Sequence, residues 1–254
     1  MSIQVSTDGD VATLTLDDPT RKNAMSEAMA DAFQAGVESL RATSIRAVII
    51  TGSGTAFSGG GDLSMLQRLT TLSAAEAERF MLDYYQRFLC VRELSVPVVA
   101  AVNGAAVGAG LCLALACDMM IVATDAKLAL NFVRLGLHPG MGATHYAPLR
   151  FGAPRAMELL CTGRFFSGED ALAWGGALEA PGASQVLARA TAIAHEIASS
   201  GPVSTRALTA SLRAADAGLP AALAREAVAQ AASYGSAELQ VGLLAAREKR
   251  AAQF

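Results

Sequence analysis

Charge is scarce in this chain, and that scarcity narrows its chemistry. Only 17% of the 254 residues are charged against 52% hydrophobic, and the net charge is −3. This balance describes a folded globular chain rather than a disordered one. With no basic excess there is no field to attract nucleic acid or an anionic membrane, so neither is expected as a partner. An anionic ligand must then be met by a local group of Lys and Arg. Cysteine is equally sparse: Cys90, Cys112, Cys117 and Cys161 form no C-x-x-C pair and have apolar neighbours. They read as buried free thiols in a reducing compartment, which excludes a disulfide framework and a zinc site and points to the cytoplasm. No metal is expected. Strand-like alternation starts with the first residues, so no signal peptide is expected.

Three catalytic signatures are also missing. There is no G-x-x-x-x-G-K-[ST], no G-x-S-x-G and no H-E-x-x-H. A P-loop hydrolase, a serine hydrolase of the nucleophile-elbow type and a zinc peptidase therefore lack support. The pair Gly108 and Gly110 has no third glycine, which argues against a dinucleotide fingerprint. One uncharged run, residues 96–117, approaches the length of a membrane span. Pro97, Asn103 and several glycines interrupt it, so a buried strand, a turn and a buried helix explain it better.

What the chain does have is two glycine-rich loops. Ala56-Phe57-Ser58-Gly59-Gly60-Gly61-Asp62 follows the β-branched run 47–51, and Asn103-Gly104-Ala105-Ala106-Val107-Gly108-Ala109-Gly110 follows 96–102. Each precedes a stretch able to form a helix. Two strand–loop–helix units of this kind can aim two free backbone N–H groups at one point, the arrangement of an oxyanion hole.

Around these loops the pattern predicts an α/β chain. Asp8-Gly9-Asp10 joins a hairpin of strands 3–6 and 11–16. Ser26 caps a helix to about Arg41 with Met29, Phe33, Val37 and Leu40 on one face. A short helix is expected over 62–69. The capping box Ser73–Glu76 opens a helix toward Glu93. Strands are expected at 119–123 and 127–130, a loop at 134–144, and helices almost throughout beyond Pro154. Residues 1–195 read as the core carrying the site, and 196–254 as a helical region for self-association.

These loops make the chain resemble the crotonase family, the enoyl-CoA hydratases and isomerases. The resemblance spans nearly the whole length. It includes Asn23-Ala24-Met25, the string 57–63, Pro97-Val98-Val99-Ala100-Ala101-Val102-Asn103-Gly104, Ala116-Cys117-Asp118, Leu135-Gly136-Leu137-His138-Pro139-Gly140, residues 160–171 and Glu248-Lys249-Arg250. It implies a spiral of ββα units, a helical C-terminal region forming a homotrimer or a hexamer, and an acyl-CoA thioester as ligand. Coenzyme A would enter as part of the substrate, with no separate cofactor. By position, the resemblance puts the two oxyanion donors on the N–H groups of Gly59 and Ala109. It puts the CoA contacts on Arg21, Lys22, Ala24, Phe57, Gly61, Asp62, Leu63 and Lys249, with Arg250 beside them. Lys and Arg would meet phosphates, and the adenine would lie near Ala24 and Phe57. Asp62 also suits an N-cap.

The family's acid–base residues are absent. The positions of the two hydratase glutamates fall on Cys112 and Phe132, and the acidic position of some isomerases falls on Gly140. Each acid or base in such a reaction contributes about 10²–10⁴-fold. A thiol in apolar surroundings yields little thiolate, and Phe132 transfers no proton. His138 and His145 are the candidate substitutes, with no orienting carboxylate evident beside either. The expected function is an acyl-CoA enzyme that stabilises a thioester enolate but is a poor ordinary hydratase. The alternative is a non-catalytic acyl-CoA-binding paralogue.

Overall fold

The computed structural model describes residues 2–254. Strands β1 (Ser2–Asp8) and β2 (Val11–Asp17) form the expected hairpin, and Gly9 at its turn has φ +57°. A five-stranded sheet runs β1-β2-β3-β5-β7, where β3 is Ala47–Gly52, β5 is Val98–Val102 and β7 is Met119–Val122. All neighbours after the hairpin are parallel. Strands β3 and β5 are buried along their whole length. That is why they read as continuous apolar runs rather than as alternation.

A second, three-stranded parallel sheet was not expected. Its strands β4 (Ala56–Ser58), β6 (Ala105–Val107) and β8 (Leu128–Ala129) order as β4-β6-β8. Two of them lie inside the glycine-rich loops. They are too short to show a period, and only their mutual pairing makes them strands.

Helices α1 (Glu27–Arg41), α2 (Leu63–Leu69) and α3 (Ala74–Leu89) start at Ser26, Asp62 and Ser73, each of which accepts a backbone N–H. The helix α3 ends earlier than its pattern suggests, and a 3₁₀ turn carries the chain to Glu93. Helix α4 (Ala109–Ala116) is buried on every side, as its uncharged sequence requires. Among the described residues no helix is long and apolar enough to cross a membrane. Helices α5 (Ala143–Phe151), α6 (Ala153–Thr162), α7 (Gly168–Ala173), α8 (Val186–Ser199), α9 (Pro202–Arg213), α10 (Leu219–Tyr234) and α11 (Ala237–Arg247) complete the chain. The segment expected as a loop at 134–144 is shorter, because a 3₁₀ turn occupies Phe132–Leu135 and α5 begins at Ala143. Helix α10 packs along α3, and α11 packs on the 3₁₀ turn. Cys90, Cys112 and Cys117 are buried, but Cys161 is exposed on α6, contrary to expectation.

Candidate active site

The site is assembled where residues 22–25 dock along the first glycine loop. Asn23 is fully buried, with φ +53°. Its amide donates to the carbonyls of Ser53, Ala56 and Phe57, and its Oδ1 accepts from Asp18 N–H at 2.8 Å. Ser58 Oγ donates to Asn23 O at 2.8 Å and accepts from Gly60 N–H at 3.1 Å. Met25 N–H donates to Gly60 O at 2.8 Å. These bonds fix the loop before any ligand arrives.

They also correct one expectation. The Gly59 N–H donates to Lys22 O at 2.7 Å, so it is not free to meet a ligand oxygen. Gly61 in the first loop and Ala109 at the start of α4 each keep an N–H without a partner among the described residues. Ala109 is the first residue of α4, whose first helical bond runs from Cys112 N to Gly108 O. Its own N–H is therefore one of the orphan donors at a helix start. Gly60 lets the two loops meet. It has φ +91°, and a Cβ there would lie 2.5 Å from Val107 O and 3.7 Å from Ala109 N. Only glycine permits both the angle and the approach.

Gly61 and Ala109 line one cavity of about 220 Å³. Phe132, Leu137 and Met141 form part of its apolar wall. Tyr84, Tyr85, Gln230 and Tyr234 close it from α3 and α10, and Ala246 of α11 sits at its edge. The cavity thus draws on both sides of residue 195 rather than on the N-terminal part alone. None of the residues lining it carries a charge. Its phenols are engaged: Tyr84 with Met25 O at 2.6 Å, Tyr85 with Gln230 Oε1 at 2.8 Å, Tyr234 with Met81 Sδ at 3.2 Å. Burial raises all three above the ordinary tyrosine value, so they stay protonated.

The family acid–base positions fare as follows. Phe132 lines the cavity. Cys112 is outside its lining, buried, with Sγ 3.6 Å from Gly140 O, and burial drives its pKa well up. A Cβ on Gly140 would collide with the Tyr85 hydroxyl and lie 2.8 Å from Gln230 Nε2. The space of a side chain at 140 is therefore filled by a phenol and an amide. Gln230 escaped sequence reasoning because nothing near it in the chain marks it; only the packing of α10 on α3 brings it in.

Neither histidine lines the cavity. His138 Nδ1 lies 2.7 Å from Pro139 O, which assigns its proton to that nitrogen. His145 lies on α5 with Nε2 3.5 Å from Asp216 Oδ1, against the edge of Tyr146. Both expectations of a substitute base are corrected by this placement. Among the residues expected against CoA, Phe57 is fully buried in β4. Asp62 caps α2 through Met65 N–H at 2.9 Å and pairs with Arg21 and Ser64. Arg21 is thereby committed to Asp62 and Asp18, and Arg250 pairs with Glu248. Lys22 and Lys249 are exposed, with no ion pair among the described residues. Ala24 and Leu63 lie at the surface beside the loop, and Leu63 also reaches the cavity.

A larger cavity of about 570 Å³ lies between α5, α8 and α9. Its guanidiniums are spoken for. Arg92 and Arg213 bind Asp118, Arg92 also binds Asp216, and Arg150 donates to the carbonyls of Leu115, Cys117 and Asp118. The smaller cavity, which holds the two free N–H donors, is the candidate for chemistry.

The family model described as enoyl-CoA hydratase/isomerase matches residues 6–254. A relative from Thermus thermophilus is 36% identical over 249 residues, covering 97% of this chain and 98% of its own. The crystal structure of an enoyl-CoA hydratase/isomerase from Pseudoalteromonas atlantica superposes with a TM-score of 0.87 at 30% identity, covering all of both chains. Pseudomonas aeruginosa OdaA superposes with a TM-score of 0.86 at 32% identity, over 96% of this chain and 97% of that one.

Proposed function

The chain belongs to the enoyl-CoA hydratase/isomerase family, and from that premise we propose that it binds an acyl-CoA thioester and stabilises its enolate. The observation that carries this reading is the pair of unpartnered N–H groups, Gly61 and Ala109, on one apolar cavity. Two such donors favour charge that develops on the thioester oxygen during reaction. Each is worth about 10²–10³ in rate. The start of α4 adds its dipole to the second donor. Lys22 and Lys249 are the cations available for phosphates. Coenzyme A is part of the substrate, and the reading needs no other cofactor. The C-terminal helices would join copies into a trimer or hexamer in the cytoplasm.

Hydration needs a base on water and an acid at the α-carbon. The cavity offers neither, since its only proton-bearing side chains are phenols held neutral by burial and the amides of Asn131 and Gln230. Ordinary hydration is therefore expected to be slower by about 10²–10⁴ for each missing group. The same charge-free lining supports a second reading, a non-catalytic acyl-CoA binder. The test is the absorbance of a short 2-enoyl-CoA with purified protein, beside calorimetric binding of butyryl-CoA. Binding with slow or no loss of absorbance supports the enolate site without hydratase machinery. Rapid hydration refutes the argument from missing carboxylates, and no binding refutes the acyl-CoA site.

A further inference from the structure

An enolate can form at such a site in a limited number of ways. Deprotonation at the α-carbon needs a base. Addition of water to an enoyl group, or cleavage of a β-keto group, needs an activated nucleophile. Loss of carbon dioxide from the α-carbon needs neither. Resting on the acyl-CoA reading above, we infer that this cavity takes a 2-carboxyacyl thioester and decarboxylates it.

The residues around Gly140 carry the inference. Where a protein carboxylate could have stood, the chain places Tyr85 and Gln230. Gln230 Nε2 donates one N–H to His138 O at 2.8 Å, and its Oε1 accepts from Tyr85. An amide nitrogen carries two N–H groups, and the second has no partner among the described residues. Gln230 lines a cavity without charged side chains. It complements a carboxylate brought by the substrate. One amide N–H in apolar walls solvates a carboxylate far less than water does. The two backbone donors meet the opposite end of the same group.

The charge therefore moves downhill. The bond from the α-carbon to the carboxylate carbon breaks, and its electron pair passes into the thioester as an enolate. Carbon dioxide leaves uncharged. The negative charge then lies between the Gly61 and Ala109 N–H groups, and a solvent proton adds to the α-carbon. The ground-state charge is poorly held and the developing charge well held, which is the difference that accelerates a reaction.

The test uses the intact protein with methylmalonyl-CoA in deuterated water, followed by mass spectrometry of the CoA thioesters. The expected product is propionyl-CoA with one deuterium at the α-carbon. Replacing Gln230→Met should raise KM for methylmalonyl-CoA roughly 10- to 100-fold, the worth of one hydrogen bond to a charged group, without lowering kcat, because the amide holds the ground-state carboxylate. Tyr85→Phe, which frees the amide to turn, should raise KM less while sparing the fold. No conversion, with butyryl-CoA still bound, overturns the decarboxylation and leaves the acyl-CoA site standing. Failure to bind either thioester overturns both. A KM for methylmalonyl-CoA unchanged in Gln230→Met overturns the assignment of the amide.

Discussion

Removing the carboxylate of Glu226 should loosen the wall of the cavity and destabilise the whole molecule. Glu226 lies on α10 and has no exposed surface. It accepts from Gly142 N–H at 2.8 Å, Thr144 N–H at 2.7 Å and Thr144 Oγ1 at 2.6 Å. Helix α5 has Gly142 as N-cap and no side-chain cap of its own. Glu226 therefore serves as that cap from a helix distant in sequence. It also fixes the turn where Met141 and Gly142 take φ +60° and +76°, and Met141 lines the cavity. In Glu226→Ala three donors lose their acceptor. At about 1–3 kcal/mol for each buried unsatisfied group, the loss is roughly 3 kcal/mol or more. That corresponds to a fall in Tm of roughly 6–12 °C for a chain of this size. Glu226→Gln keeps one acceptor oxygen but turns an NH₂ toward a donor, so it should cost about 1–3 kcal/mol. Burial raises the pKa of Glu226, outweighing the bonds from Thr144 and Gly142. A raised folded value means that this group's stabilisation is full below the ordinary glutamate range and is lost as pH rises through the folded value. The gap in Tm between wild type and Glu226→Gln should then be wider near pH 5 than near pH 8. Thermal unfolding followed by circular dichroism at both pH values decides it. A Glu226→Ala protein that melts with the wild type would refute the capping role.

Three further outcomes follow from the same structure. Gly61→Pro deletes one free N–H and should reduce turnover of any enolate-forming thioester about 10²–10³-fold. Gly61→Ala, for which no atom lies within 4 Å of the new Cβ, should leave it near wild type; equal rates in both variants would dismiss Gly61 as a donor. Maleimide treatment of the native protein, read by intact mass, should modify Cys161 alone. Cys90 and Cys117 are buried with pKa values pushed up to about 12, and burial also raises the Cys112 thiol well above its ordinary value; modification of Cys112 would mean that the packing around α4 opens. Burial alone would raise the pKa of Asp118, but Arg213, the Val98 N–H and Arg92 hold it below the ordinary value. Its stabilisation is therefore present above the ordinary aspartate value and lost as pH falls through the lower folded one. Asp118→Asn should cost roughly 3 kcal/mol near neutrality and flatten the loss of stability below about pH 4, which acid titration of unfolding measures.

The elements that could be read from the chain are those whose information is local. Ser26 and Ser73 cap their helices because a side-chain oxygen three residues before an N–H needs nothing from elsewhere. The stripe Met29, Phe33, Val37 and Leu40 is buried as its spacing requires. Strands β4 and β6 were illegible because three residues carry no period, and each is a strand only because the other lies beside it.

The site divides along the same line. Two glycine loops carried the expectation of a pair of N–H donors, but not which glycine would supply the first. That choice depends on Lys22, whose carbonyl takes the Gly59 N–H, and on Ser58, whose hydroxyl takes that of Gly60. Among the described residues, Gly61 is left in the loop with nothing to donate to. The expectation that the family's acid–base positions fall on Cys112, Phe132 and Gly140 was equally legible, because each is read at one position of a motif. What fills their place was not. Tyr85 and Gln230 are far apart in the chain and meet only because α10 lies on α3. A motif thus tells what chemistry a position has lost, and packing tells what the site has gained. In this chain the gain is an amide donor without charge. It suits a substrate that brings its own carboxylate and asks the protein only to hold the enolate.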